Sequence, residues 1–210
     1  MTEQPEEWNP TSKKGWVRVD CDLSIWIPCP GVFPPGMDRD SWAAESAQLH
    51  WEAAGLPNSQ AAVDALAAML RMVHEDGYEQ VLCHQIWIYL PMPTALPLPV
   101  YIGIWELTGE RDGQLRALTG NTDPDMVRPP FTEEFPTILY GSGVRTLRYR
   151  RLDDGTLYGV LGYALRSVEY ETDVQIFTST QNLPQLQQAT ADIDALVRGI
   201  TVISQEGLIR

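Results

Sequence analysis

The residues best able to do chemistry are three cysteines, Cys21, Cys29 and Cys83, and the histidine beside the last of them, His84. A zinc site needs three or four thiolate or imidazole ligands converging at about 2.0–2.3 Å. Neighbours along a strand point to opposite faces, so Cys83 and His84 do not share a metal, and no C-x2-C or H-x3-H spacing is present. Structural roles are expected instead, with cysteine as a small core hydrophobe and His84 as a hydrogen-bonded interior residue. A nucleophilic cysteine needs a helix N-terminus or a nearby cation to favour its thiolate. Cys29, between Pro28 and Pro30 in an exposed-looking turn, is the best placed of the three, but no histidine is marked as its partner. The patterns G-x-S-x-G, G-x-G-x-x-G, H-E-x-x-H and the P-loop are absent. Gly141-Ser142-Gly143 reads as a flexible turn. The acid pairs Asp20/Asp22 and Glu133/Glu134 have the groups for proton transfer, yet carboxylates on a strand's wet face usually mark solvated surface. No catalytic residue, cofactor or metal is expected.

Arginines and tryptophans point to binding rather than catalysis. Arg145, Arg148, Arg150 and Arg151 lie within seven residues. Strand alternation sends Arg145 and Arg151 to one face and Arg148 and Arg150 to the other. A guanidinium fork suits a phosphate or carboxylate ligand. The plainer reading pairs these arginines with acids on neighbouring strands, or protects a sheet edge with charge. Trp16 and Trp26 are ten residues apart on the otherwise polar side of one alternating stretch. They either anchor an interface or are covered by a helix or the N-terminal arm. The run from Pro91 to Pro99 has the composition of a polyproline ligand, but its place between two strands favours a stiff hairpin connection.

Charge narrows the partners. The chain of 210 residues carries 28 Asp+Glu against 15 Lys+Arg, a net charge of -13. That disfavours nucleic acid and anionic membrane as partners. Residues 1–142 hold 20 acids and 8 bases, net -12; residues 143–210 hold 8 and 7, net -1. A basic partner is therefore expected to dock on the N-terminal two-thirds. The N-terminus lacks an apolar signal region, no apolar run is long enough to span a membrane, and the cysteines are few and odd in number. A cytoplasmic protein is expected. The excess of arginine over lysine is the usage of a GC-rich, for example actinobacterial, genome.

These residues need elements to hold them. Residues 1–15 read as a mobile arm, 16–205 as one α+β domain and 206–210 as a tail. Val17, Val19, Cys21, Leu23, Ile25 and Ile27 alternate with polar residues, which predicts one strand ending at Pro28-Cys29-Pro30-Gly31. Asp38 or Asp40 should cap a helix ending at Gly55, and Asn58 or Ser59 a second one closed by Gly77. Strands are expected over Tyr78–Leu90 and Leu98–Leu107, then irregular chain with a short helix near Gln114–Leu118 over 108–142. The last third reads as a meander, 144–152, 156–169 and 173–180, turning at Asp153-Asp154-Gly155 and closed by a helix from Asn182. Tight turns make these strands antiparallel, and grouped helices give an α+β class with an antiparallel sheet in an α/β/α sandwich.

Two stretches resemble the PsbP-like family: Leu23-Ser24-Ile25-Trp26-Ile27-Pro28-Cys29-Pro30, and the last strand followed by Ala191-Asp192-Ile193-Asp194-Ala195-Leu196-Val197-Arg198-Gly199-Ile200. The resemblance implies a curved antiparallel sheet and a binding or chaperone-type module, and transfers no functional residue. The resulting expectation is a non-catalytic, acidic protein-binding module of adaptor, chaperone or immunity type, whose partner is a protein, basic by charge complementarity, or a second copy of itself. The candidate interface is the Trp16/Trp26 face with the acidic 108–135 loops and the arginine cluster. The alternative is a small-ligand-binding protein or hydrolase with a pocket between sheet and helices.

Overall fold

The computed structural model describes residues 15–57, 59–120 and 126–204. In chain order the elements are β1 (Gly15–Val19), β2 (Trp26–Cys29), α1 (Arg39–Ala53), α2 (Gln60–Gln80), β3 (Gln85–Tyr89), β4 (Leu98–Glu106) and α3 (Arg111–Leu118). They continue with β5 (Phe131–Thr137), β6 (Gly141–Arg151), β7 (Leu157–Ser167), β8 (Thr172–Thr180), α4 (Leu183–Arg198) and β9 (Ile200–Ser204). Seven strands form one antiparallel sheet in the order β2-β3-β4-β8-β7-β6-β5, and β1 pairs with β9 in a separate ribbon. Helices lie on both faces, so the α+β class and the antiparallel sheet are as expected.

Each face has its own apolar core. On one face Val100, Ile102, Tyr163, Leu165 and Ile176 meet Leu186, Ala189, Ile193 and Val197 of α4, with Val17 and Val202 of the ribbon. On the other, Ile27, Cys29, Ile86, Ile88 and Leu90 meet Trp42, Ala47, Val63, Leu66 and Leu70 of α1 and α2. Central strands are apolar on both sides because both faces are covered.

Local chemistry explains the helices. The Asp38 carboxylate accepts from the Ser41 amide at 2.8 Å while the Ser41 hydroxyl accepts from the Asp38 amide, a reciprocal capping box. Asn182 caps α4 through the Gln185 amide, with Pro184 in the first turn where its missing N–H is harmless. The same helix is clamped by phenols: Tyr89 donates to Asp192 at 2.7 Å and Tyr163 to Asp194 at 2.5 Å.

Five details depart from the sequence reading. The first alternating stretch is not one strand. The Asp22 carbonyl accepts from the amides of both Ile25 and Trp26 at 3.1 Å, turning the chain between β1 and β2 and leaving Leu23 exposed. Gly15 belongs to β1; the remainder of the expected arm and the 206–210 tail lie outside the described residues. Gly77 does not end α2, which runs on to Gln80, so the strand expected from Tyr78 begins only at Gln85. Gly77 sits inside the helix because a Cβ there would fall 2.5 Å from Ile86 Cδ1 and 3.3 Å from Tyr101 Cε1, so glycine permits close approach to the sheet. Residues 131–137, expected to be irregular, form the edge strand β5, whose Glu133, Glu134 and Pro136 hide its strand character. Beyond the C-terminal helix, Ile200–Ser204 form a further strand, β9, that the sequence reading does not contain.

Two tight junctions fix the β7–β8 hairpin and the end of α4 against the β1–β9 ribbon. Arg166 makes a forked ion pair with the fully buried Asp173, both contacts at 2.7 Å, and donates to the Thr108 carbonyl at 2.9 Å. This fixes the corner from which Glu110 caps α3 through the Asp112 and Gly113 amides. At the end of α4, a Cβ on Gly199 would lie 2.0 Å from the Asp20 carbonyl oxygen, and the Asp20 amide donates to the Gly199 carbonyl at 3.1 Å. Gly199→Ala should therefore destabilise the protein by about 1–3 kcal/mol through forced displacement of β1. Asp173→Ala should cost about 3–5 kcal/mol by leaving a buried guanidinium unpaired. Urea denaturation of both variants measures this.

Candidate functional site

Burial removes the cysteines from consideration as nucleophiles. Cys29 is not in an exposed turn; it lies in β2 and is 5% exposed. Burial pushes its thiol up to about 12, with nearby Cys83 adding to the rise. Burial likewise raises Cys21 and Cys83 to about 11, helped at Cys21 by Asp20 and Asp22. His84 is structural, its Nδ1 accepting from the Ile104 amide at 3.1 Å and its ring edge-on to Trp16 and Trp105. His50 and His74 donate from Nε2 to the carbonyls of Leu90 and Pro30. Among the described residues no three His, Cys, Asp or Glu side chains are grouped to hold a metal ion.

The expected tryptophan face is not present as one surface. Trp26 is 2% exposed and packs on Tyr89 with ring centres 5.2 Å apart, so it is a core residue. Trp16 is half-buried in β1, opposite Ile203 of β9. The turn at Asp22 separates the two. The arginines divide as alternation requires. Arg145 faces α4 and binds Glu133 and Asp194, Arg151 is exposed on that face, and Arg148 and Arg150 face the other way. Arg148 donates to the Gly120 carbonyl at 3.0 Å. The four do not converge on one anion site.

What converges instead is a groove that no single segment announces. On the sheet face under α1 and α2, the helices cover β2, β3 and part of β4. Beside α2 the sheet is open, giving a groove of about 720 Å³. Its apolar wall is Met69, Met72 and Val73, its floor Pro99 and Tyr101, and its far side Leu96 and Tyr158. Met72 is 56% exposed and Leu96 is 60% exposed, an unusual share for large apolar side chains lining one recess. The Tyr101 ring is fixed against Phe177, with centres 5.2 Å apart, and burial holds its hydroxyl neutral by raising it to about 12. Asp76 is the charged lining residue.

The helical layer around the groove is acidic. Within α1 and α2 there are seven carboxylates and two arginines. Arg39 pairs with Glu75 at 3.3 Å and Arg71 with Asp40 at 3.6 Å. Glu45, Glu52, Asp64, Asp76 and Glu79 then have no cationic partner among the described residues. A second, smaller recess of about 470 Å³ between α1 and α2 is lined by Glu45, Asp64 and the exposed Leu49. The helix pair thus carries a net charge of -5, a large part of the acidic excess read from composition.

Comparison with known proteins adds a partial likeness. The structure resembles Mog1p, a Ran-binding protein of Saccharomyces cerevisiae, at 10% identity and TM-score 0.40 over 62% of this chain and 86% of that one. It also resembles a point mutant of protein Mog1, at 12% identity and TM-score 0.38 over 58% and 80%. No protein-family model matches, and no curated protein does. Among the described residues no helix is long and apolar enough to cross a membrane.

The raised thiols give a direct check. In the folded protein at pH 8, alkylation of Cys29 by iodoacetamide should run at least about a hundredfold slower than in the urea-unfolded chain, where the thiol returns to its ordinary range. Mass spectrometry of the labelled protein measures this, and rapid labelling of native Cys29 would contradict the assignment.

Proposed function

We propose that this chain is a non-catalytic docking module whose groove beside α2 receives an apolar protein segment carrying Lys or Arg. The observation that carries the proposal is the placing of a methionine-lined recess within a helical layer of unmatched carboxylates. Methionine side chains adapt to varied apolar partners. Asp76 in the lining favours a cation, and the net negative charge of α1 and α2 steers its approach. The PsbP-like pattern at the two chain ends is proposed together with this binding role, as is a cytoplasmic location.

The alternative, a small-ligand or hydrolase pocket, is less well supported. The groove has a ligand-sized volume, but its polar groups bond to one another instead of aiming into the space. Gln185 donates to the Leu96 carbonyl at 2.6 Å, and Gln181 donates to the Tyr158 hydroxyl.

A labelled Leu/Lys amphipathic peptide, titrated by fluorescence anisotropy, tests the docking proposal. Met72→Asp adds a negative charge, so bare electrostatic attraction to the acidic surface would tighten binding. Docking through the groove predicts instead a loss of about tenfold or more, on the order of 1.4 kcal/mol. Tighter or unchanged binding by this variant would refute the assignment.

A further inference from the structure

The opposite face of the sheet has an uncovered strip of contrary charge. There α4 packs on β7 and β8 and reaches β6 through the Arg145–Asp194 pair near its C-terminal end. Between α4 and β6 runs a trough of about 540 Å³, floored by Leu147 and Tyr149 and walled by Leu183, Pro184, Gln187 and Thr190. Gly159 shapes it. A Cβ there would lie 2.7 Å from Leu186 Cδ2 and 2.8 Å from Leu183 Cδ2, so glycine lets the start of α4 settle onto β7 rather than reach across to β6. Phe131, directly opposite Leu147 in the β5–β6 pairing, extends the floor and is 61% exposed.

The charged groups along this strip are chiefly arginines. Arg145 lies at one end, held in place by Glu133 and Asp194. Arg151 follows on the same face of β6, six residues on, or about 20 Å along an extended strand. Arg128 stacks over the Tyr149 ring at 4.7 Å from its centre. Neither Arg128 nor Arg151 has a carboxylate partner among the described residues. At physiological salt, charges are screened beyond about 8 Å, so these local arginines, not the net charge of -13, govern what binds here.

We infer that the trough between α4 and β6 is a second docking surface whose occupant is an apolar protein segment bearing Asp or Glu side chains. Leu147, Tyr149 and Phe131 take the apolar side chains. Arg128 and Arg151 present guanidinium forks suited to carboxylates. The register places Tyr149 on the face away from Tyr158, so this trough and the α2 groove lie on opposite sides of the sheet. Both can be filled at once, which would let the module bridge an anionic segment and a cationic one.

The test titrates a labelled Leu/Glu amphipathic peptide against the full chain and two variants. Arg128→Glu combined with Arg151→Glu should weaken binding about tenfold, while thermal unfolding and affinity for the Leu/Lys peptide stay unchanged. Phe131→Arg adds positive charge yet should also weaken binding, because the floor loses its ring. The inference is overturned if the Leu/Glu peptide does not bind the parent chain, or if Phe131→Arg binds it more tightly. It is also overturned if light scattering shows a dimer that the double variant dissociates, since the strip would then be a self-association surface. Loss of the Leu/Lys interaction alone would count against the α2 groove and leave this trough standing.

Discussion

The architecture depends on one mismatch of widths. Seven strands span six inter-strand spacings, about 29 Å at roughly 4.8 Å each. A helix with its side chains is about 10–12 Å across. Three helices share one face, with only α1 and α2 packed side by side, and α4 lies alone on the other, so strips of the sheet stay uncovered. α1 and α2 sit at the β2 end, α4 sits over the centre of the opposite face, and α3 covers part of β7 and β6. What remains uncovered becomes the two recesses. Gly77 and Gly159 deepen the effect by letting α2 and α4 settle close to their strands instead of spreading over the next ones.

Interior and surface consequently have different tasks. The two cores are closed and apolar, and the groups within them that could do chemistry are neutral or tied down. The thiols are raised by burial, Asp173 is locked to Arg166, and His50 and His84 are used in backbone hydrogen bonds. The surface carries the asymmetry. Among the described residues, carboxylates without a cationic partner gather on α1 and α2, while Arg128 and Arg151, without a carboxylate partner, lie along the strip beside β6. This separation agrees with the near-neutral charge of the C-terminal third, and it explains why net charge alone gives an incomplete account of what the chain can bind.

Much of the scaffold was legible because local chemistry and tertiary packing agree. Asp38 and Asn182 cap the helices they were expected to cap, and Asp153-Asp154-Gly155 turns between β6 and β7. Where tertiary contact overrides local pattern, legibility failed. Alternation continued through Asp22 although the backbone turns there, and Gly77 reads as a helix stop when its purpose is contact with Ile86 and Tyr101. β5 is disguised by the polar and proline residues that protect an edge. The candidate site was least legible. Met72, Leu96, Tyr101 and Tyr158 are ordinary residues in four separate elements or connections, and only the β4-β8-β7 order brings them to one groove. The signal available beforehand was the concentration of acid in the N-terminal two-thirds. Its link to the helices needed the pairing of Arg39 and Arg71 to show which carboxylates were left over.

The central claim is that the uncovered sheet strips beside α2 and beside β6 are where partners dock. Backbone amide NMR of the full chain, with the Leu/Lys peptide and then separately with the Leu/Glu peptide, tests it most directly. The account predicts shifts concentrated at 69–76 and 96–101 with the first peptide, and at 145–151 and 183–190 with the second. Shifts from both peptides falling on one common surface, or scattered over the exposed hairpin tips around Ile138 and Val168, would contradict it.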